Sequence, residues 1–170
     1  GIRLWDLTSS ENVRFLRHPD NNGNYIYGLA WSPDGHRLAS GTHQHGVMIW
    51  DVMTRTETRL GRELSTWFPQ VAWSPDGTRL AGAGVDGSTY IWNVSDNMLE
   101  QQLAGHQSRI SCLAWSPDGT RLATGASGAE GGELFVWDLQ RGQRSKSLVG
   151  HINVVSAVAW ELGGTRLISG

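Results

Sequence analysis

Trp115-Ser116-Pro117-Asp118-Gly119 is one of three identical stretches in this chain; the same five residues stand at Trp31 to Gly35 and at Trp73 to Gly77. A worn fourth copy, Trp160-Glu161-Leu162-Gly163-Gly164, keeps the first and last residues and the Thr165-Arg166-Leu167 that follows. The four leading tryptophans are separated by 42, 42 and 45 residues. A period of that size marks repeated supersecondary units, none of which can bury its apolar face without a neighbour. Function is therefore to be sought in what the array presents.

The pentapeptide reads as a turn. Pro fixes φ for the second position of a type I turn, Asp accepts local backbone hydrogen bonds, and Gly closes the hairpin in the left-handed region. Each copy is expected to join two antiparallel strands. An acidic cluster for metal or catalysis is the competing reading of the three repeated carboxylates, but the turn already accounts for each Asp.

Composition narrows the class. The 170 residues are 39% hydrophobic with 22 glycines and five prolines, which suits a turn-rich all-β protein, and the repeat predicts one continuous array over residues 1–170. A net charge of −2 argues against nucleic-acid or membrane-surface binding by broad electrostatics. No apolar run reaches the roughly 18 residues of a membrane-spanning helix. The first residues, Gly1 to Asp6, read as a strand and not as a signal peptide. Cys112 is the single cysteine, so no internal disulfide can form, and the expected compartment is the reducing cytoplasm.

A second tryptophan series interleaves with the first: Trp5-Asp6, Trp50-Asp51, Trp92-Asn93 and Trp137-Asp138, each closing a β-rich run. Before the last three lies a strand of small residues: Leu38 to Gly41, Leu80 to Ala83 and Leu122 to Gly125. Gly105-His106 and Gly150-His151 each precede a turn tryptophan by a fixed distance. The order in each unit is strand, turn, strand, loop, strand, variable strand, Gly-His.

On these residues the chain resembles the WD-repeat family of β-propellers, whose blades are four-stranded sheets with Gly-His near the start and Trp-Asp at the end of the third strand. The resemblance covers essentially the whole chain. The regular Trp-Ser-Pro-Asp-Gly form also resembles bacterial members with multiplied blades. It implies an all-β propeller of four-stranded antiparallel blades, with four blade equivalents in this chain and the closing blade split between its two ends.

The resemblance further implies a buried network linking the Gly-His histidine, a Ser or Thr of the second strand, an Asp of the following loop and the Trp of Trp-Asp. Blade three offers His106, Thr124 and Trp137, but its loop from Ala126 to Gly132 is longer than usual and the Asp is lost. Blade two has Asp86 and Trp92, with Gly82 in place of the hydroxyl and Arg62 near the histidine position. Blade one has Ser40 and Trp50, with Gln44 where Asp belongs and His18 displaced. The fourth blade's His151 and Ser169 stand at one end of the chain and the matching Trp5 at the other. Such gaps predict modest blade stability, because an unpartnered buried polar group costs about 1–3 kcal/mol.

Nothing here reads as an active site, and no cofactor motif is present. His43 and His45 could share a face and bind a metal, but without a Cys or a suitably spaced carboxylate they read as a solvated loop. Binding has better support. Six residues before each turn tryptophan stand Tyr25, Trp67, Arg109 and Val154, whereas the residues directly before the tryptophans are Ala30, Ala72, Ala114 and Ala159. Tyr, Trp and Arg dominate binding hot spots, and here they vary where the surroundings repeat. Plugging a central channel is the bland alternative. The expected function is a non-enzymatic platform for a protein or peptide, with a structural or regulatory segment of a larger protein as the second reading. Ordinary propellers of this family carry seven or eight blades, and the small inner-strand residues favour a shallow angle between blades. A homodimer completing an eight-bladed ring is expected; a compact four-bladed ring and a segment of a longer propeller remain open.

Overall fold

Strand pairing follows the turns. In the computed structural model, which describes residues 1–8, 11–16, 25–43 and 46–170, the first sheet has two strands, β1 (Ile2–Asp6) and β2 (Glu11–Leu16). Three four-stranded antiparallel sheets come next. Blade one is β3 (Ile26–Trp31), β4 (Arg37–Thr42), β5 (Val47–Asp51) and β6 (Glu57–Leu60). Blade two is β7 (Gln70–Trp73), β8 (Arg79–Ala83), β9 (Ser88–Asn93) and β10 (Leu99–Ala104). Blade three is β11 (Ile110–Trp115), β12 (Arg121–Gly128), β13 (Gly131–Asp138) and β14 (Gln143–Leu148). A final pair, β15 (Val158–Trp160) and β16 (Leu167–Ser169), has the register of a blade's first two strands, with Trp160 opposite Leu167. The described residues hold no helix. The protein is all-β, built of propeller-type blades.

Each repeated turn is closed by its own side chains. In the third copy Ser116 donates to Asp118 at 2.5 Å and accepts the Arg121 amide at 2.9 Å, while Asp118 accepts the Thr120 amide at 3.0 Å. The Ser116 hydroxyl, and after it the Thr120 amide, lower the Asp118 carboxyl to about 2. The other two copies repeat these bonds. Gly119 has φ +68°, where a Cβ is strained.

The apolar cores lie between sheets. Leu60 packs with Phe68, Tyr90 and Trp92 between blades one and two, and Leu103 with Phe135 and Trp137 between blades two and three. Ile2 and Leu16 pack on Leu38, Met48 and Trp50 of blade one. This is the nearest-neighbour burial that a repeat array requires.

A polar clasp joins consecutive sheets. The turn tryptophan of one blade donates to an inner-strand carbonyl of the blade before: Trp73 to Ala30 at 3.1 Å, Trp115 to Ala72 at 3.0 Å and Trp160 to Ala114 at 3.0 Å. The same indoles are covered by an arginine of the preceding blade, with Arg37, Arg79 and Arg121 lying 4.6, 4.8 and 4.7 Å from the ring centres. Each arginine also donates to the carbonyl of the next turn's last glycine, at 3.1, 2.6 and 2.7 Å.

The long blade-three loop turns out to be strand. Ser127 pairs with Gly132 and Gly128 with Gly131, so the extra residues from Ala126 to Gly132 lengthen the β12–β13 hairpin, with only a tight turn at its tip. At the two ends, β1 has β2 as its sheet neighbour and β16 has β15. The β1–β2 and β15–β16 pairs therefore stand in separate sheets.

Candidate functional site

The histidine networks differ from blade to blade. In blade three His106 is buried between Thr124, at 2.7 Å from Nε2, and Glu133, at 2.8 Å from Nδ1, and Trp137 donates to Thr124 at 2.7 Å. Glu133 on β13 does what the missing loop Asp would do, and it also accepts the Gln107 amide. Its carboxylate accepts a hydrogen bond from the Nδ1–H, so in the neutral ring Nε2 accepts from the Thr124 hydroxyl and the hydroxyl oxygen accepts the indole N–H. Burial holds His106 below the usual histidine range, against the pull of Glu133 in the other direction.

Among the described residues the other blades show parts of the set. In blade one Trp50 donates to Ser40 at 3.1 Å; Gln44 and His18 lie outside the described residues. In blade two Asp86 accepts from Tyr90 at 2.7 Å and from the Ser88 amide, and the buried Trp92 indole has no hydrogen-bond partner among the described residues. In the final half-blade His151 and Ser169 stand 2.8 Å apart, whereas Trp5 on β1 is 58% exposed.

The variable positions lie at one end of the array. Tyr25, Trp67, Arg109 and Val154 occupy the segments leading into β3, β7, β11 and β15, and the first three lie beside the loop that joins the second and third strands of the same blade. The Tyr25 carbonyl accepts the His43 amide and the Trp67 carbonyl the Val85 amide, while Ser108 donates to the Ser127 carbonyl. Tyr25, Arg109 and Val154 are exposed and Trp67 is half-buried.

The structure brings Tyr25 and Trp67 into one aromatic surface. Tyr27 bridges them, with ring centres 6.4 Å from Tyr25 and 5.7 Å from Trp67, and His43 meets Trp67 edge-on at 4.3 Å. Arg109 stands apart, lining a shallow hollow of about 370 Å³ with Ser108, Ser111, Ser127 and Val154. His45 lies outside the described residues, so its pairing with His43 is not placed. Sequence reasoning overlooked Tyr27 and His43 as members of this surface; the signal available was Tyr27 itself, an aromatic at a position where the other units carry Pro69, Ser111 and Ser156.

Such a surface can bind without reacting. The rings offer amphipathic area and faces for cations, and Arg109 offers a planar cation for carboxylates or carbonyls. Cys112 is buried, donates to the Val155 carbonyl at 3.3 Å and has its thiol pushed up to about 11 by burial, far from a reactive thiolate.

Comparison with known proteins agrees with the repeat geometry. The profile of a family described as WD domain, G-beta repeat matches residues 10–51, 67–93 and 97–138. Over 63 residues the chain is 36% identical to the anaphase-promoting complex subunit cdc20 of Dictyostelium discoideum. That match takes in 37% of this chain and 12% of the relative's length.

Proposed function

The chain belongs to the WD40 repeat family, and from that premise we propose that it is a non-catalytic scaffold binding a protein or peptide across the end that carries Tyr25, Trp67 and Arg109. WD40 repeats suggest a protein-interaction platform; the particular face is our reading. What supports it is the joining of Tyr25, Tyr27, Trp67 and His43 into one partly exposed surface, at positions where packing in the other blades asks for no aromatic residue. A segment of extended peptide lying over the rings, with an acidic or carbonyl group toward Arg109, is the ligand that this chemistry fits.

The finer parts of the proposal concern assembly and setting. Two copies would supply eight blades, the strands β15 and β16 of one and β1 and β2 of the other completing a shared blade in a closed two-fold ring. Support comes from the unfinished network of His151 and Ser169 and the exposed Trp5 that fits it. Residues 1–170 then act as one array, made of blades of the bacterial kind and working in a reducing cytoplasm, with no nucleic-acid, membrane or cofactor partner. A regulatory segment of a larger multidomain protein is the second reading.

The binding face is tested by panning a random-peptide display library on the wild-type protein and measuring the enriched peptides against Trp67→Ala and Arg109→Ala. Each variant should weaken binding by about 1 kcal/mol or more while its melting temperature stays within a few degrees. Peptides bound equally by all three proteins would refute the assignment of the face.

A further inference from the structure

The inter-blade clasp occurs at three seams, and the pieces of a fourth stand at opposite ends of the chain. Trp31 is the first turn tryptophan and is 50% exposed, whereas Trp73 and Trp115, each clasped by the blade before, are 7% and 8% exposed. Leu29, two residues earlier on β3, is 52% exposed, and its equivalent Val71 on β7 is 6%. Leu29 and Trp31 alternate along β3 beyond its bulge and so share one face of blade one, the face on which a preceding blade would lie. On the last sheet, Arg166 follows its turn as Arg37, Arg79 and Arg121 follow theirs. Its side chain is 83% exposed and, among the described residues, reaches Glu161 of its own turn, at 3.5 Å.

We infer that the Leu29 and Trp31 face docks the β15–β16 hairpin of a second copy of this chain, and that Arg166 of that copy clasps Trp31 as Arg121 clasps Trp160. The inference rests on the reading of the chain as half of an eight-bladed ring and names the contact that would hold the halves together. The geometry of the three existing seams specifies the fourth. The Trp31 indole donates to the Ala159 carbonyl of the second copy, and the guanidinium of Arg166 covers the indole and donates to the Gly35 carbonyl.

Strand pairing points to the same occupant. Blades one, two and three share one register between second and third strands: Leu38 opposite Trp50, Leu80 opposite Trp92, Leu122 opposite Trp137. Carried to the fourth blade, it sets Leu167 of the second copy opposite Trp5. The Trp5 indole then donates to Ser169, which already lies 2.8 Å from His151. Trp5 would also cover Leu148, which is half-buried although its equivalents Leu60 and Leu103 are each 1% exposed beneath a following blade. One docking event thus satisfies the exposed Trp5, Leu29, Trp31 and Arg166 together.

The test is mass by light scattering across a concentration series, on the wild type, Arg166→Ala, Trp31→Ala and, as a control at an internal seam, Arg79→Ala. The wild type should have twice 18.6 kDa. Two-fold symmetry removes two clasps at once, so Arg166→Ala and Trp31→Ala should dissociate at concentrations at least about tenfold higher than the wild type does. Arg79→Ala should keep the dimer mass. A wild type of 18.6 kDa at every concentration overturns the ring and the clasp with it. A dimer that Arg166→Ala leaves equally tight overturns the clasp and spares the ring. Circular dichroism on each variant confirms that a change in mass is not unfolding; Arg166, being exposed, can be removed without disturbing its own sheet.

Discussion

His106 donates a hydrogen bond from its Nδ1–H to Glu133 across 2.8 Å, although Glu133 sits on the third strand of its blade and not in the loop before it. Removing the carboxylate in Glu133→Ala leaves a buried N–H without an acceptor and frees the Gln107 amide, so a loss of about 1–3 kcal/mol is expected. Urea unfolding at pH 8 measures it. No loss would mean that the histidine is held by Thr124 alone.

The same pair predicts an acid response. His106 is below the usual 6.5 when folded, so between that value and its folded pKa the unfolded chain binds a proton that the native blade refuses. Stability from this group is full above pH 6.5 and declines as the pH falls toward the folded value. Glu133→Gln keeps an acceptor but removes the charge that pulls the histidine upward, so its acid loss should be larger than that of the wild type. Urea midpoints at pH 8 and 5.5 compare them; equal losses in the two proteins would refute the coupling.

The inter-blade clasp makes a third expectation. Arg79 lies 4.8 Å from the centre of the Trp115 ring and donates to the Gly119 carbonyl at 2.6 Å. A planar guanidinium can do both together and a lysine ammonium cannot, so Arg79→Lys should cost nearly as much as Arg79→Ala, about 1–2 kcal/mol. A lysine variant as stable as the wild type would show that charge alone matters.

What the sequence made legible was mainly local. The pentapeptide turns could be read because Pro, Asp and Gly act on their own backbone, and the strands because the two tryptophan series repeat. The resemblance supplied the histidine network residue by residue, and there the missing Asp of blade three concealed Glu133. Lengthening the β12–β13 hairpin brings a strand residue to the place of a loop residue, which spacing alone does not reveal. The clasp was also hidden, although Arg37, Arg79, Arg121 and Arg166 hold one offset from their turn tryptophans. Each arginine meets the next blade's indole, so its role exists only after two repeats stack. The aromatic surface is of this kind as well: His43 and Trp67 become neighbours only when blade two is laid against blade one.

The turn glycines provide a fourth check. A Cβ on Gly119 would meet nothing closer than Arg79 Nη2 at 3.6 Å, so sterics with neighbours are not the obstacle. Its φ of +68° is, and Gly119→Ala should lose roughly 1–2 kcal/mol. An unchanged urea midpoint would contradict the turn geometry.

Blade two offers the last prediction, because its two physical pressures oppose each other. The Trp92 indole is buried without an acceptor, and Gly82 stands where Ser40 and Thr124 supply one in the neighbouring blades. By hydrogen bonding alone, Gly82→Ser should stabilise the protein. Packing says otherwise. A Cβ at Gly82 would lie 2.8 Å from Phe68 Cδ1 and 2.9 Å from Trp92 Cζ3. Phe68 is fully buried and meets Tyr90 and Trp92 edge-on at 5.6 and 5.4 Å, so neither ring has room to retreat. Overpacking of this sort costs about 1–3 kcal/mol, whereas a new hydrogen bond contributes about 1 kcal/mol and only with good geometry. Gly82→Ser is therefore expected to destabilise, read as a lower urea midpoint with an unchanged slope. A higher midpoint would show that the unpartnered indole outweighs the aromatic packing, and that blade two lacks its hydroxyl for a reason other than the rings that fill its place.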